Sequence, residues 1–276
     1  MFAIMTETGV AVPSGSETFY SPHQGKLTAP LDPATSPDPL TEFVHDGFRA
    51  LILNPRFSCV AAKGAFNREN YRFALYHGGL GSADATAELA RDLYLFIVDQ
   101  ERLRADGFST FVASFAGPEG LTEAEFEARL WAQLQSLHDR DAAVSEWDAT
   151  VERDPNSPHF EWSYGGRAFL VVGLHPASSR FTRRFSFPTL VFNAHFQFEE
   201  LRTSGKFERM QTVIRARDTA LQGSINPNLA NFGAASDARQ YSGRAVGGEW
   251  ACPFRAQGNT SDTSDTSDTT DTESEK

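Results

Sequence analysis

Arg167-Ala-Phe-Leu-Val-Val-Gly-Leu174 and Pro188-Thr-Leu-Val-Phe192 decide the fold class. Both are short apolar runs with β-branched centres, as in buried strands. Around them the apolar spacing is helical. Leu40 to Leu53 puts Phe43, Phe48, Leu51 and Ile52 on one side and stops at Asn54-Pro55. Ala83 to Arg104 carries a stripe of Leu89, Leu93, Phe96, Ile97 and Leu103. Leu121 to His138 opens with Thr122 and Glu125 at capping-box spacing, then lines one face with Phe126, Leu130, Leu134 and Leu137. Phe108 to Phe115 is strand-like in composition, and Phe196 to Leu221 returns to helical spacing with a break at Ser204-Gly205. Strands and helices do not alternate regularly enough for a doubly wound sheet. The pattern predicts an α+β fold, a single domain with helices packed on a modest mixed sheet.

The ends differ from this middle. Residues 1–38 are rich in Pro, Ser, Thr and Gly and read as an extended arm, able to drape over the domain. Residues 258–276 hold a repeated Ser-Asp-Thr unit and an acidic finish, a disordered tail. Residues 39–257 form the domain, long enough to bury about 70% of its unfolded surface without a disulfide or metal staple. The formal charge of −11 includes −5 from six acids and one lysine between Asp262 and Lys276, which leaves −6 for the rest. A mildly acidic body argues against nucleic acid and an anionic membrane as partners. No run approaches the roughly 18 apolar residues of a membrane span, and no signal peptide is evident, so a cytoplasmic location is expected. The two cysteines, Cys59 and Cys252, make neither a disulfide framework nor a paired metal site.

Phenylalanine is abundant, 23 copies against 3 methionines, and aromatic interiors make rigid, flat-walled pockets. A nucleotide site is not expected: His77-Gly-Gly-Leu-Gly81 lacks the dinucleotide glycine spacing and follows no convincing strand. A serine hydrolase is not expected either, since no nucleophile elbow is present. The segment from Gly173 to Arg202 is richer in chemistry. His175 ends a strand and is followed by Arg180, Arg183 and Arg184; His195 opens a helix among Phe192, Phe196 and Phe198, with Glu199 one turn on. Taken singly, each histidine suits a hydrogen-bonded core position. Taken together, imidazole, flat apolar walls and an arginine cluster meet the needs of a haem: an axial ligand, a planar slot and cations for two propionates. Cys252, in Trp250-Ala-Cys-Pro-Phe254, is a competing axial thiolate, and composition does not choose among the three ligands.

The segments Asn54–Cys59, Gly173–Arg180, Leu190–Arg202, Ile214–Asp218, Ala238–Arg244 and Trp250–Phe254 resemble the YqcI/YcgG family, over about residues 40 to 255. Ser58 stands where relatives are expected to have proline. Members with a known role are haem proteins that hydroxylate guanidino nitrogens, in guanitoxin biosynthesis and, through Nω-hydroxy-L-arginine, on the route to D-cycloserine. The resemblance implies haem b, a cytoplasmic enzyme of an antibiotic-type pathway, L-arginine as substrate, and a partner reductase or peroxide to drive the reaction. On that expectation His195 is the first candidate for the iron, His175 the second and Cys252 the third. His175 and Arg180 are alternatively a catalytic pair that polarises bound oxidant. Phe192, Phe196, Arg183 and Arg184 would hold the cofactor. Glu199 or Glu200 would take the guanidinium, and Arg180 or Arg202 the α-carboxylate. The rival expectations are a haem-binding or haem-sensing protein without catalysis, and a non-haem metalloenzyme built on His195 and Glu199.

Overall fold

The computed structural model describes residues 18–228 and 233–257, with the backbone of a short strand pair before them. In chain order the elements are β1 (Ile4–Met5), β2 (Ala11–Val12), β3 (Ser21–His23), β4 (Lys26–Thr28), α1 (Pro39–Leu53), α2 (Val60–Asn67), β5 (Tyr71–Gly79), α3 (Ala83–Arg104), β6 (Thr110–Gly117), α4 (Glu123–Asp141), β7 (Trp162–Tyr164), β8 (Arg167–Leu174), β9 (Thr189–Ala194), α5 (His195–Thr203) and α6 (Phe207–Gln222). The main sheet has five strands in the order β5-β6-β9-β8-β7. The β5–β6 pair is parallel and joined through α3, and the remaining pairs are antiparallel. This is the α+β fold that the strand and helix patterns predict. The acidic tail at 258–276, and most of the first 17 residues of the arm, lie outside the described residues.

Local chemistry sets the boundaries. Asp38 caps α1, its carboxylate accepting from the Leu40 and Thr41 amides at 2.9 and 3.1 Å. At α4 the capping box closes in both directions: Glu125 N–H donates to Thr122 Oγ1 at 3.3 Å, and Thr122 N–H donates to Glu125 Oε2 at 2.9 Å. Replacing Thr122 by alanine removes one half of this box and is expected to cost about 1 kcal/mol in urea unfolding, with an unchanged slope. Gly165 and Gly166 both take positive φ, which a two-residue hairpin turn between β7 and β8 requires.

Within residues 39–257 three elements were not legible in sequence, and the short strands β1 to β4 of the arm were not either. α2 has eight residues and β7 three, too few to show a period. β5 is buried on both faces, so it shows no alternation. It also carries Arg72, 3% exposed and ion-paired with Asp99. The expectation that no strand precedes His77-Gly-Gly-Leu-Gly81 is therefore corrected: the loop runs from the end of β5 into α3. Two donors that a phosphate would need there are already used. Gly81 N–H donates to Gln133 Oε1 at 3.0 Å, and Ala85 N–H donates to Ser82 Oγ at 3.3 Å.

The arm's residues 18–28 lie on the domain. Tyr20 and Phe73 exchange backbone hydrogen bonds of 2.9 and 3.0 Å, and Thr18 Oγ1 donates to the buried carboxylate of Asp92 at 2.5 Å.

Strand alternation sorts the interior into two clusters. Phe111, Phe115, Phe169, Leu190 and Phe192 point toward α3 and α4 and pack with Phe96, Phe126 and Trp131. Tyr71, Phe73, Val112, Leu174 and Val191 point the other way, toward Phe48 of α1 and Phe66 of α2. Gly173 lies where an added Cβ would come within 2.7 Å of the Phe126 ring, so only glycine lets α4 approach β8 this closely. This division decides which predicted site residues can meet.

Candidate functional site

A cavity of about 290 Å³ opens on the α1–α2 face of the sheet. That is near the lower edge of the roughly 300–1,000 Å³ usual for small-molecule sites. Its floor is Val172, Leu174, Val191 and Asn193. Its walls are aromatic: Phe48, Phe57, Phe66, Phe108, Phe198 and Phe207. α6 contributes Phe207, Met210 and Ile214, which are only half-buried although they form the helix's apolar face. In α6 the buried residue is Asp218.

Two groups of charged side chains border this space. The first centres on Glu161 and Asp237, both lining the cavity. Glu161 is 2% exposed and precedes β7, where the Trp162 indole N–H is tied to the Leu134 carbonyl at 3.2 Å. Asp237 opens a 3-10 turn capped by Ser236, and Tyr241 anchors that turn by donating its hydroxyl to Phe169 O at 2.9 Å. Beside them stands His195, its Nδ1 2.9 Å from Glu161 Oε1 and its Nε2 3.4 Å from Glu199 Oε1. Gln197 fixes this first turn of α5, exchanging hydrogen bonds of 2.6 and 3.0 Å with the Ser109 backbone. Burial opposes protonation of His195, but the hydrogen bond and charge of Glu161, with the charge of Glu199, outweigh it and raise its pKa. Burial, and then the charge of Glu161, push Asp237 up to about 6.

The second group is Arg180, Asp218, Arg183 and Cys59. Arg180 is ion-paired with Asp218 and donates to Ser224 Oγ at 3.1 Å and Ser224 O at 2.8 Å. Arg183 donates to the carbonyls of Gly173, Tyr241 and Gln240 at 3.0 to 3.1 Å. Desolvation lowers the Arg183 pKa to about 10, so a nearby anion would relieve it. Cys59 caps α2, and burial raises its thiol pKa.

The sheet separates several residues that sequence placed in one cluster. His175 continues β8 on the α3–α4 side, its ring stacked on Phe126 at 4.4 Å between centroids. It therefore does not face Arg180 across the cavity. Burial lowers its pKa. Phe192 lies on that same far side, against Phe111, Trp162 and Phe169. Cys252 is there too, in the α3–α4 cluster, with its thiol pushed up to about 12 by burial. Phe196 packs beneath the guanidinium groups of Arg104 and Arg167, and Arg184 lies over Phe181, all outside the cavity lining. Glu200 is exposed and pairs with Arg104, and Glu199 pairs with Arg202. Of the expected residues, Arg180, Arg183 and Arg202 line the cavity, and His195 stands behind Glu161 at its border. Sequence missed Glu161, Asp237 and Cys59. Glu161 carried a signal, a lone acid inside the aromatic run Phe160-Glu-Trp162.

Among the described residues no three of His, Cys, Asp and Glu are grouped to hold a metal ion, and no helix is long and apolar enough to cross a membrane.

Sheet, cavity and charged border together define an α+β protein with an internal cavity between its sheet and the flanking helices. The chain belongs to the YqcI/YcgG family, whose model matches residues 48–255. It is 27% identical over 186 residues, covering 64% of this chain and 71% of the relative, to the uncharacterized protein YqcI of Bacillus subtilis (strain 168). No solved structure matches the chain.

Proposed function

We propose that this cavity holds haem b and that the protein is a haem-dependent N-oxygenase forming Nω-hydroxy-L-arginine from L-arginine. The observation that carries the reading is an aromatic-walled cavity bordered by a buried carboxylate, Glu161, that holds the imidazole of His195 beside it. A metal-bound histidine characteristically gives its other ring nitrogen to a carboxylate, which fixes ring orientation and raises basicity. Glu161 stands in that relation to His195 Nδ1. The donor set also suits a planar apolar ring bearing two anions. Phe57, Phe66, Phe198 and Phe207 offer flat surface, while Arg183 and Arg180 offer positive charge. Their N–H groups are engaged internally, so propionates would meet charge more than free donors. His175 and Cys252, on the opposite side of the sheet, are not favoured as ligands.

When bound, haem supplies activation of O₂ or peroxide, which no side chain here provides. The protein's part is to exclude water with its phenylalanines, to keep His195 in one orientation through Glu161 and Gln197, and to hold the substrate. A partner reductase, or peroxide, would supply oxidising equivalents, and the cytoplasm supplies both arginine and reductant.

The test is optical. The purified chain is expected to be coloured, with a Soret band that His195→Ala shifts or abolishes and that His175→Ala and Cys252→Ala leave in place. A normal Soret band in folded His195→Ala removes His195 as ligand. Incubation with arginine and either peroxide or reductant plus O₂ is expected to give a mass gain of one oxygen. Haem binding without any such product would leave a binding or sensing protein.

A further inference from the structure

Two segments that flank the cavity are basic in an acidic chain. Asn54 to Arg68 carries three cations and no acid, and Ser204 to Arg217 carries four cations against Glu208 alone. In a chain of formal charge −11, that excess marks a surface whose sign is opposite to that of the whole. The two segments hold α2 and α6, and Lys63 of α2 lies near enough to Arg217 of α6 that burial and then the Arg217 charge lower its pKa. We infer that this seam of α2 and α6 is the docking surface for a small acidic electron-transfer protein. The inference names the partner of the proposed site and rests on that reading for what the partner delivers.

The helix sorts its side chains by face. Phe207, Met210 and Ile214 line the cavity, while Lys206, Arg209, Val213 and Arg217, at i, i+3, i+7 and i+11, run along an outer stripe. The three cations are exposed, and no carboxylate pairs with them among the described residues. Val213 is 41% exposed in the middle of the stripe, so an apolar centre is bordered by charge, as in a protein interface. Repulsion along the stripe is unrelieved, and a carboxylate-bearing partner removes it. The acidic remainder of the chain turns such a partner away, so the stripe fixes where it lands and how it is oriented. Encounters of electron-transfer proteins are small, under about 1,200 Å² in total, which one helix face and its neighbour can supply.

The proposed chemistry calls for this partner. With O₂ as oxidant, each hydroxylation consumes two electrons and two protons, one oxygen atom entering the product and the other leaving as water. The chain has no dinucleotide or phosphate-binding glycine motif with which to hold a nucleotide electron carrier of its own. α6 is both a wall of the cavity and the base of the stripe. A docked donor is therefore separated from the cavity by one helix diameter, about 10–12 Å.

The probe is a dye-labelled acidic flavodoxin, a flavin-bearing one-electron donor, titrated with the full purified chain and followed by fluorescence anisotropy. Binding is expected at low salt. It should weaken at least about tenfold as salt rises from about 10 to about 150 mM and the Debye length falls from about 30 to about 8 Å. The chain carrying Lys206→Glu, Arg209→Glu and Arg217→Glu together is expected to bind at least about tenfold more weakly. It should also accept electrons from reduced flavodoxin more slowly in proportion, while its turnover with peroxide stays that of the parent. Circular dichroism reports its folding. Arg209→Gln with Arg217→Gln, which removes charge without reversing it, is expected to give a smaller loss in the same direction. No binding at low salt, or an affinity indifferent to salt or to both sets of substitutions, overturns the inference. So does a folded triple variant slowed equally with peroxide, which would reduce the stripe to a structural role. A basic cytochrome c that binds as well as flavodoxin, a dimer of the chain that the triple substitution splits, or a single-stranded oligonucleotide that takes the stripe more tightly would each give the surface to another occupant and overturn it too. Because anisotropy is read on the flavodoxin, salt-sensitive docking on a colourless chain would sink the haem reading and leave the docking surface standing. A haem-loaded chain that ignores flavodoxin would do the reverse.

Discussion

Arg180→Ala is expected to destabilise the fold by about 3–5 kcal/mol in chemical denaturation, the usual cost of stranding one member of a buried ion pair. Arg180 is 7% exposed and Asp218 8% exposed. The guanidinium joins the loop after β8 to α6 through Asp218 and Ser224. Removing it leaves the Asp218 carboxylate buried, and the two Ser224 acceptors lose their donor. Adding Asp218→Asn to Arg180→Ala removes the stranded charge and is expected to recover a substantial part of the loss. The double-mutant cycle therefore shows a coupling well above 1 kcal/mol. Additive losses, or an Arg180→Ala protein as stable as its parent, would show that the pair does not hold α6 in place. α6 lays its apolar face along the cavity, so the same substitution is expected to weaken ligand binding even if Arg180 touches no ligand.

Asp237→Asn should act in the opposite direction and stabilise the protein by about 1–2 kcal/mol at pH 8. Burial and the charge of Glu161 raise Asp237 from the ordinary 3.8 to about 6. A carboxyl whose pKa is raised by folding binds its proton more tightly in the folded state. The folded chain therefore loses stability as pH rises from about 4 through 6, and the cost is complete above about 7. The full shift would correspond to about 3 kcal/mol, and the partial exposure of Asp237 reduces that through solvent screening. Asparagine keeps an oxygen for the Gln240 bond and carries no charge. Its advantage should therefore vanish near pH 4 and level off above pH 7 in melting curves. An advantage independent of pH would mean that the effect comes from packing.

The fold was legible in the sequence wherever a periodicity ran long enough to be seen. The stripe from Leu89 to Leu103, the Thr122–Glu125 cap, the β-branched runs of β8 and β9, and the break at Ser204-Gly205 all appear where predicted. β5 was hidden because a strand buried on both faces shows no alternation and because Arg72, paired with Asp99, reads as a surface residue.

The site was legible only in part. Sequence by itself determined that an imidazole, arginines and abundant phenylalanine fall within a short stretch, and that the stretch leaves a strand for a helix. Nearness along the chain is not nearness in space, because successive side chains of a strand point to opposite faces of a sheet. Phe192 and Asn193 are neighbours in sequence, yet one packs under α3 and α4 while the other floors the cavity. The same rule sends His175 to Phe126, away from His195. Only the tertiary structure brought Glu161 and Asp237, 76 residues apart, to a common border with His195, since long-range packing and not local pattern decides which acid lies beside which base.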